Sequence, residues 1–203
     1  MKKKARIRLL GIILGGLLVF ITTATIGSAQ EWSRKGKGEI FVLGQQMSGD
    51  TTTSLGIEIE VDDTTVGGLG MGYNFNDYLN LNWDMFFGST DLAAKSYGVS
   101  LKGDTDLFGM DVNLDYNILK SRFTPIVTGG IGFIRFDGTW EGEYSSVSFD
   151  ETDFSYNLGA GFRWNITDHL LVKGVYRFTW TELEDTDDSI LLDGVTLSIG
   201  YVF

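Results

Sequence analysis

The chain has 203 residues, with 27 acidic against 16 basic side chains, one histidine and no cysteine. A formal charge of −11 argues against nucleic acid, whose binding rests on basic contacts to phosphate, and against peripheral docking on anionic lipid. Zero cysteines exclude a disulfide framework and thiol chemistry.

The N-terminus reads as an export signal. Lys2, Lys3, Lys4, Arg6 and Arg8 form a basic stretch, Leu9 to Ile26 carries no charge, and Gly27-Ser28-Ala29 puts small residues before a cut. This is the layout of a secretory signal peptide over residues 1–29, cleaved after Ala29. A retained membrane helix is the competing reading, since the 18 uncharged residues just span a bilayer. No cysteine lies near the cut, so a lipid anchor is not expected. Past it, the 11 remaining basic residues face all 27 acids. No later stretch is long and apolar enough for a spanning helix, so a membrane-embedded product must be a closed sheet. Residues 30–37 form a short periplasmic segment, and 38–203 a single domain.

Alternating segments then recur near 38–47, 66–75, 79–88, 106–117, 125–136, 153–164, 169–181 and 194–203. The links between them alternate in length: 48–65, 89–105, 137–152 and 182–193 are long, while 76–78, 118–124 and 165–168 are short. The pattern predicts an all-β fold, an eight-stranded antiparallel up-and-down transmembrane β-barrel. Short turns would be periplasmic and long loops extracellular, with both termini in the periplasm. Ile57-Glu58-Ile59-Glu60-Val61 still alternates inside a long link, which predicts a wall rising beyond the membrane there.

Strand side chains alternate faces, and six strands sort cleanly. One face carries large apolar residues, as in Leu69, Met71, Tyr73 and Phe75, or Val195, Leu197, Ile199, Tyr201 and Phe203. The other carries Gly68, Gly70, Gly72 and Asn74, or Asn80, Asn82 and Asp84. An eight-stranded barrel has room inside only for packed side chains, so the apolar set must face out, and lipid must cover it. Strands 38–47 and 125–136 are ambiguous; in the second, Val127, Ile131 and Phe133 are expected outside, with Gly130 and Gly132 inside. Aromatics such as Tyr73, Tyr116, Trp164 and Phe203 fall at one end of the strands, and Phe87, Phe108, Tyr156 and Trp180 at the other, giving two interfacial girdles.

With these features the chain resembles the small outer-membrane β-barrel proteins of the OmpA/OmpX type over residues 36–203. The eight-strand pattern, the stretch Pro125-Ile126-Val127-Thr128-Gly129-Gly130-Ile131-Gly132-Phe133 and the terminal Tyr201-Val202-Phe203 carry the resemblance. It implies that Tyr201 and Phe203 form the strand signal read by the barrel-assembly machinery. Related barrels serve as anchors, adhesins, narrow pores and lipid enzymes, so the architecture leaves the role open.

Candidate residues follow from the faces. Asp84, Asp111 and Asp115 share the lumen with Arg163, Lys173 and Arg177, and Glu39 is a further candidate; opposite charges in one polar core predict a plug of ion pairs. A gated pore is the sharper alternative. The long links are acidic, and Glu184-Asp185-Thr186-Asp187-Asp188 is the densest run. Hard oxygen ligands at Glu184, Asp185, Asp187 and Asp188 would suit a divalent cation, while solvated repulsive loops are the ordinary reading. His169 sits at a periplasmic turn with no serine partner, which suits an interfacial residue rather than a general base. Gly68-Leu69-Gly70-Met71-Gly72 is not a phosphate loop, because no helix follows.

The expectation is therefore a non-enzymatic integral outer-membrane barrel with a filled polar lumen and acidic extracellular loops. Its role would be structural or one of surface interaction, through an extracellular partner meeting the loops. It would be monomeric, embedded in outer-membrane lipid and free of cofactor. A narrow passive channel and an outer-membrane lipid-modifying enzyme are the alternatives.

Overall fold

A computed structural model describes residues 32–48, 51–54, 57–61, 63–96, 99–141, 146–182 and 189–203; the signal segment 1–29 and the acidic run 184–188 lie outside them. The described strands are β1 (Gly38–Ser48), β2 (Thr51–Ser54), β3 (Ile57–Val61), β4 (Thr64–Asn74), β5 (Leu79–Ser96), β6 (Val99–Asn117), β7 (Phe123–Glu141), β8 (Ser146–Asn165), β9 (Leu170–Glu182) and β10 (Ser189–Val202). Eight of them form a ring in the order β5-β4-β1-β10-β9-β8-β7-β6, closed by the β5–β6 ladder. All pairings are antiparallel. Where β10 meets β1, Gly38 N–H donates to the Phe203 carbonyl at 2.9 Å and Phe203 N–H donates back to the Gly38 carbonyl at 3.0 Å. Closure leaves the ring no free edge.

Side chains alternate across the wall as strand geometry requires. Leu69, Met71, Val112, Leu114, Leu158, Leu197 and Ile199 are exposed outside, while Asn82, Asp84, Asp111, Asn113, Asp115, Lys173 and Arg177 are buried inside. Ile40 and Val42 point out of β1, with Glu39, Phe41, Leu43, Gln45 and Met47 inside. In β7, Val127 and Ile131 point out while Thr128, Ile134 and Phe136 point in.

The strands run further than the alternation of apolar residues does. Residues 89–105 and 137–152, expected as loops, continue the β5–β6 ladder to Ser96↔Val99 and the β7–β8 ladder to Glu141↔Ser146. Link 48–65 contains the β2–β3 hairpin, which pairs with the upper part of β5. Beyond the lipid band the outer face no longer needs apolar side chains, so the sequence signal fades while the hydrogen-bond ladder continues. Pro125 falls third in β7, not first. Its carbonyl accepts from Ile118 N–H at 3.0 Å, beyond the last β6–β7 pair, Asn117↔Ile126, so its missing N–H costs the ladder no bond.

The lumen also departs from expectation, because it is not polar throughout. Phe41, Leu43, Met47, Val66, Phe86, Leu107, Ile134, Phe136 and Leu192 form one buried apolar cluster. It occupies the half of the lumen toward the long links. Glycines paired with them on the adjacent strands make room for two of its rings: a Cβ on Gly109 would sit 2.2 Å from the Phe86 ring, and one on Gly70 the same distance from Phe41.

Candidate functional site

Three features of the ring could do chemistry or recognition: the lumen charges, the closed end beneath them, and the wall above. The lumen charges come from strands on opposite sides. Alternation places Asn80, Asn82 and Asp84 inward from β5, and Asp111, Asn113 and Asp115 inward from β6. Lys173 and Arg177 project from β9, Arg163 from β8 and Glu39 from β1. Arg177 reaches across to two carboxylates, with Nη2 3.2 Å from Asp84 and Nη1 3.1 Å from Asp111. β9 stands fourth from β5 in either direction round the ring, so this pair spans the full lumen. Lys173 lies 3.2 Å from Asp115, and Arg163 pairs with Glu39 at full burial.

Amides complete the polar layer. Asn82 donates to Asp115 at 2.7 Å, Asn113 to Asp84 at 2.9 Å and Asn80 to Glu39 at 3.2 Å. Asn74 also donates to Glu39. Buried charged groups need such partners. The residues that sequence reasoning put in the lumen are all brought together there, and Glu39 joins them. Ion pairs occupy the lumen toward the turn end, and the buried apolar cluster lies above them.

Arg34 was not foreseen from the sequence. It lies just before β1, is 1% exposed, and closes the end that bears the short turns. Its guanidinium donates to the carbonyls of Asp77 and Leu119, each at 3.2 Å, and to that of Ser121. Its own N–H donates to Asp77 Oδ1 at 2.8 Å, where Ser33 Oγ also donates at 2.8 Å. Burial pulls the Arg34 guanidinium down to about 10, with Arg163 nearby adding to the effect. For Asp77, desolvation pushes upward but is outweighed by the Arg34 N–H, Ser33 and Lys120, which hold it at about 2. No local sequence pattern marks an arginine that finds its partners only through ring closure.

The terminal aromatics sit at this same end. Tyr201 and Phe203 are exposed, and the Phe203 ring covers Gly38, whose Cβ position lies 2.6 Å from it. His169 stacks on Tyr201 with ring centroids 5.2 Å apart, and its Nδ1 lies 2.9 Å from the Val202 carbonyl oxygen. Among the described residues no cluster of three or more His, Cys, Asp or Glu side chains could hold a metal ion. The expected cation run at Glu184, Asp185, Asp187 and Asp188 lies outside them.

The wall is the third feature. Among the described residues β8 from Ser146 to Phe154 pairs only with β7, the described β8–β9 ladder ending at Ser155↔Thr181. On the other flank β2 pairs only with β3 among the described residues. Above the ring the described strands form the sheet β2-β3-β5-β6-β7-β8, in which β2 and the upper part of β8 each have one partner among the described residues. Its outer face puts Asp106, Asp137 and Asp150 side by side in register. Arg135 partly offsets them through a two-pronged contact with Asp150 at 2.9 and 2.6 Å.

Comparison with known proteins agrees with this architecture. A family model described as the outer membrane protein beta-barrel domain matches residues 17–203. No curated protein sequence matches the chain. Among solved structures, OprG from Pseudomonas aeruginosa aligns with a TM-score of 0.60 and 16% identity, covering 85% of this chain and 98% of that one. Ail from Yersinia pestis aligns at 0.57 and 16%, covering 83% and 99%. Neisserial surface protein A aligns at 0.55 and 15%, covering 83% and 100%.

Proposed function

The chain belongs to the outer membrane protein β-barrel family, and from that premise we propose that it is a non-enzymatic, sealed barrel whose working part is the acidic wall raised above the ring. The observation that carries this reading is the contrast between the two ends of the lumen axis. The turn end is tied shut by Arg34, while the other end carries ladders that outlast the ring by many residues. Ladders of that length exceed what anchoring in a membrane needs, and among the described residues they present two strands, β2 and upper β8, with one partner each, and a charged face. Exposed edges of this kind accept an extended segment of a partner by strand addition.

In this reading residues 1–29 are removed on export, both termini lie in the periplasm, and the wall faces outward from the cell. The segregation of short turns to one end supports that orientation. Tyr201 and Phe203, exposed beside the β1–β10 seam, would be the residues read by the assembly machinery.

Charge narrows the partner. Ail has been crystallised with sucrose octasulfate, a heparin analogue. The wall described here carries Asp106, Asp137 and Asp150 in a row, which repels polyanions and suits a basic or neutral polypeptide. The test compares intact protein with an Asp106→Asn/Asp137→Asn/Asp150→Asn variant, both folded in detergent. A cationic polypeptide such as polylysine should bind the intact form in a salt-sensitive way and the neutralised form several-fold less, and immobilised heparin should retain neither. Tight heparin binding, or equal polylysine binding by both forms, would overturn the assignment of the wall.

A further inference from the structure

The ion pairs of the lumen do not account for all of its buried polar atoms. Asp111 and Asn113 face inward from β6, and Ser155 and Asn157 face inward from β8, with two glycines of β7 between them. Register runs Asp111–Gly132–Ser155 on one rung and Asn113–Gly130–Asn157 on the next. None of the four side chains is more than 5% exposed. A Cβ on Gly132 would collide with Asp111 Oδ1, and one on Gly130 with Asn113 Oδ1. Both oxygens therefore lean over β7 toward β8, across a strand spacing of about 4.8 Å. Asp111 Oδ1, Asn113 Oδ1, Ser155 Oγ and both polar atoms of the Asn157 amide have no hydrogen-bond partner among the described residues. The Asn113 oxygen is fixed as the atom over Gly130, because the amide nitrogen donates to Asp84 at 2.9 Å. On the other flank of the β5–β6 pair the matching rung runs Asp84–Gly70–Phe41, and there the Phe41 ring lies over the glycine. The niche across β6, β7 and β8 is instead lined by oxygens on both sides.

We propose that this niche binds a small monovalent metal cation, held by the Asp111 carboxylate and the neutral oxygens of Asn113, Ser155 and Asn157. Charge favours an ion over water. The ion-pair layer sets Glu39, Asp84, Asp111 and Asp115 against Arg163, Lys173 and Arg177. Arg163 and Lys173 each answer one carboxylate, whereas Asp84 and Asp111 share Arg177. Arg34 is committed to Asp77 and the turn carbonyls. One negative charge of the layer is left over beside the niche, and a buried charge needs a partner or a metal ion. Oxygen ligands suit a hard cation, and a single carboxylate among neutral oxygens matches an ion of single charge. The bound ion would complete the charge count of the layer and tie β6 to β8 across the glycines of β7.

The experiment is equilibrium dialysis of the refolded protein in neutral detergent against radiolabelled Na⁺ in excess choline chloride. Choline competes for exposed acidic surface but is too large for the niche. Wild-type protein should retain one choline-resistant Na⁺ per chain. Ser155→Ala/Asn157→Leu removes the β8 oxygens, leaves the Asp111–Arg177 pair in place and should retain several-fold less. Thr196→Val, at a buried position on β10, two strands from β8, should retain as much as wild type. A heat-dependent gel shift checks that each variant is folded. Should the double variant not fold, wild-type protein in vesicles of zwitterionic lipid gives a second readout: its urea midpoint should be higher in NaCl than in choline chloride at equal ionic strength. No choline-resistant Na⁺, equal retention by the double variant, or equal midpoints in the two salts would each overturn the proposal and leave water as the partner of these oxygens.

Discussion

Arg177 shows how single residues hold the ring together. Asp84 and Asp111 are direct cross-strand partners, an arrangement that like charges destabilise. The guanidinium between them, at 3.2 and 3.1 Å, turns that repulsion into a bond across the lumen. Removing one partner of a buried ion pair typically costs about 3–5 kcal/mol, because the remaining charge stays desolvated. Arg177→Met should lower stability by roughly that amount in urea unfolding from lipid vesicles. Adding Asp84→Asn and Asp111→Asn should restore most of it. An Arg177→Met protein as stable as wild type would show that the pairs do not hold the strands. Gly109 makes the opposite point, since nothing at this position can be larger. Its Cβ would lie 2.2 Å from the Phe86 ring, and Gly109→Ala should cost about 1–3 kcal/mol by overpacking, with Phe86→Leu relieving it in the same assay.

Among the elements, the segment before β1 behaves as a bolt on the turn end. Trp32 is held by Lys37 at 3.7 Å and Arg122 at 4.6 Å from its ring, and Arg34 ties together the turns that follow β4 and β6. Asp77 gives this bolt an acid dependence. Its carboxyl is held at about 2, below the ordinary 3.8. Its stabilisation is therefore complete above the ordinary value and is lost as the pH falls through the folded value. The exchange protection of the Arg34 amide, which donates to Asp77, should fall between about pH 4 and pH 2. Asp77→Asn should remove that dependence, and a protection factor unchanged by either acid or the substitution would contradict it.

Considered as a whole, the molecule is a closed ring with buried ion pairs toward the turn end and a buried apolar cluster above them. Eight strands leave space only for such filling. In the sealed barrel proposed above, the ion-pair layer, the apolar cluster and Arg34 act in series. Reconstituted protein should show negligible conductance in planar bilayers, whereas stable single-channel steps would reveal a path through the lumen. In that reading the seal is redundant, so Arg34→Ala alone should remain non-conducting while weakening the turn end.

Strand number, the facing of six strands and the charged lumen set were legible in the sequence, because a period of two with a one-sided apolar face leaves a membrane barrel few alternatives; the facing of strands 38–47 and 125–136 was not. Asp84, Asp111, Asp115, Arg163, Lys173 and Arg177 could be placed inside from alternation alone. Which carboxylate meets which base could not, since Arg177 and Asp84 are brought together only by ring closure across four strands. The apolar cluster was half visible: Phe86-Phe87 and Leu107-Phe108 are adjacent pairs, so one member of each had to turn inward. The height of the wall and the role of Arg34 were decided by tertiary structure. A backbone ladder above the lipid needs no apolar alternation to continue, and a buried arginine answered by carbonyl oxygens leaves no pattern of side chains to read.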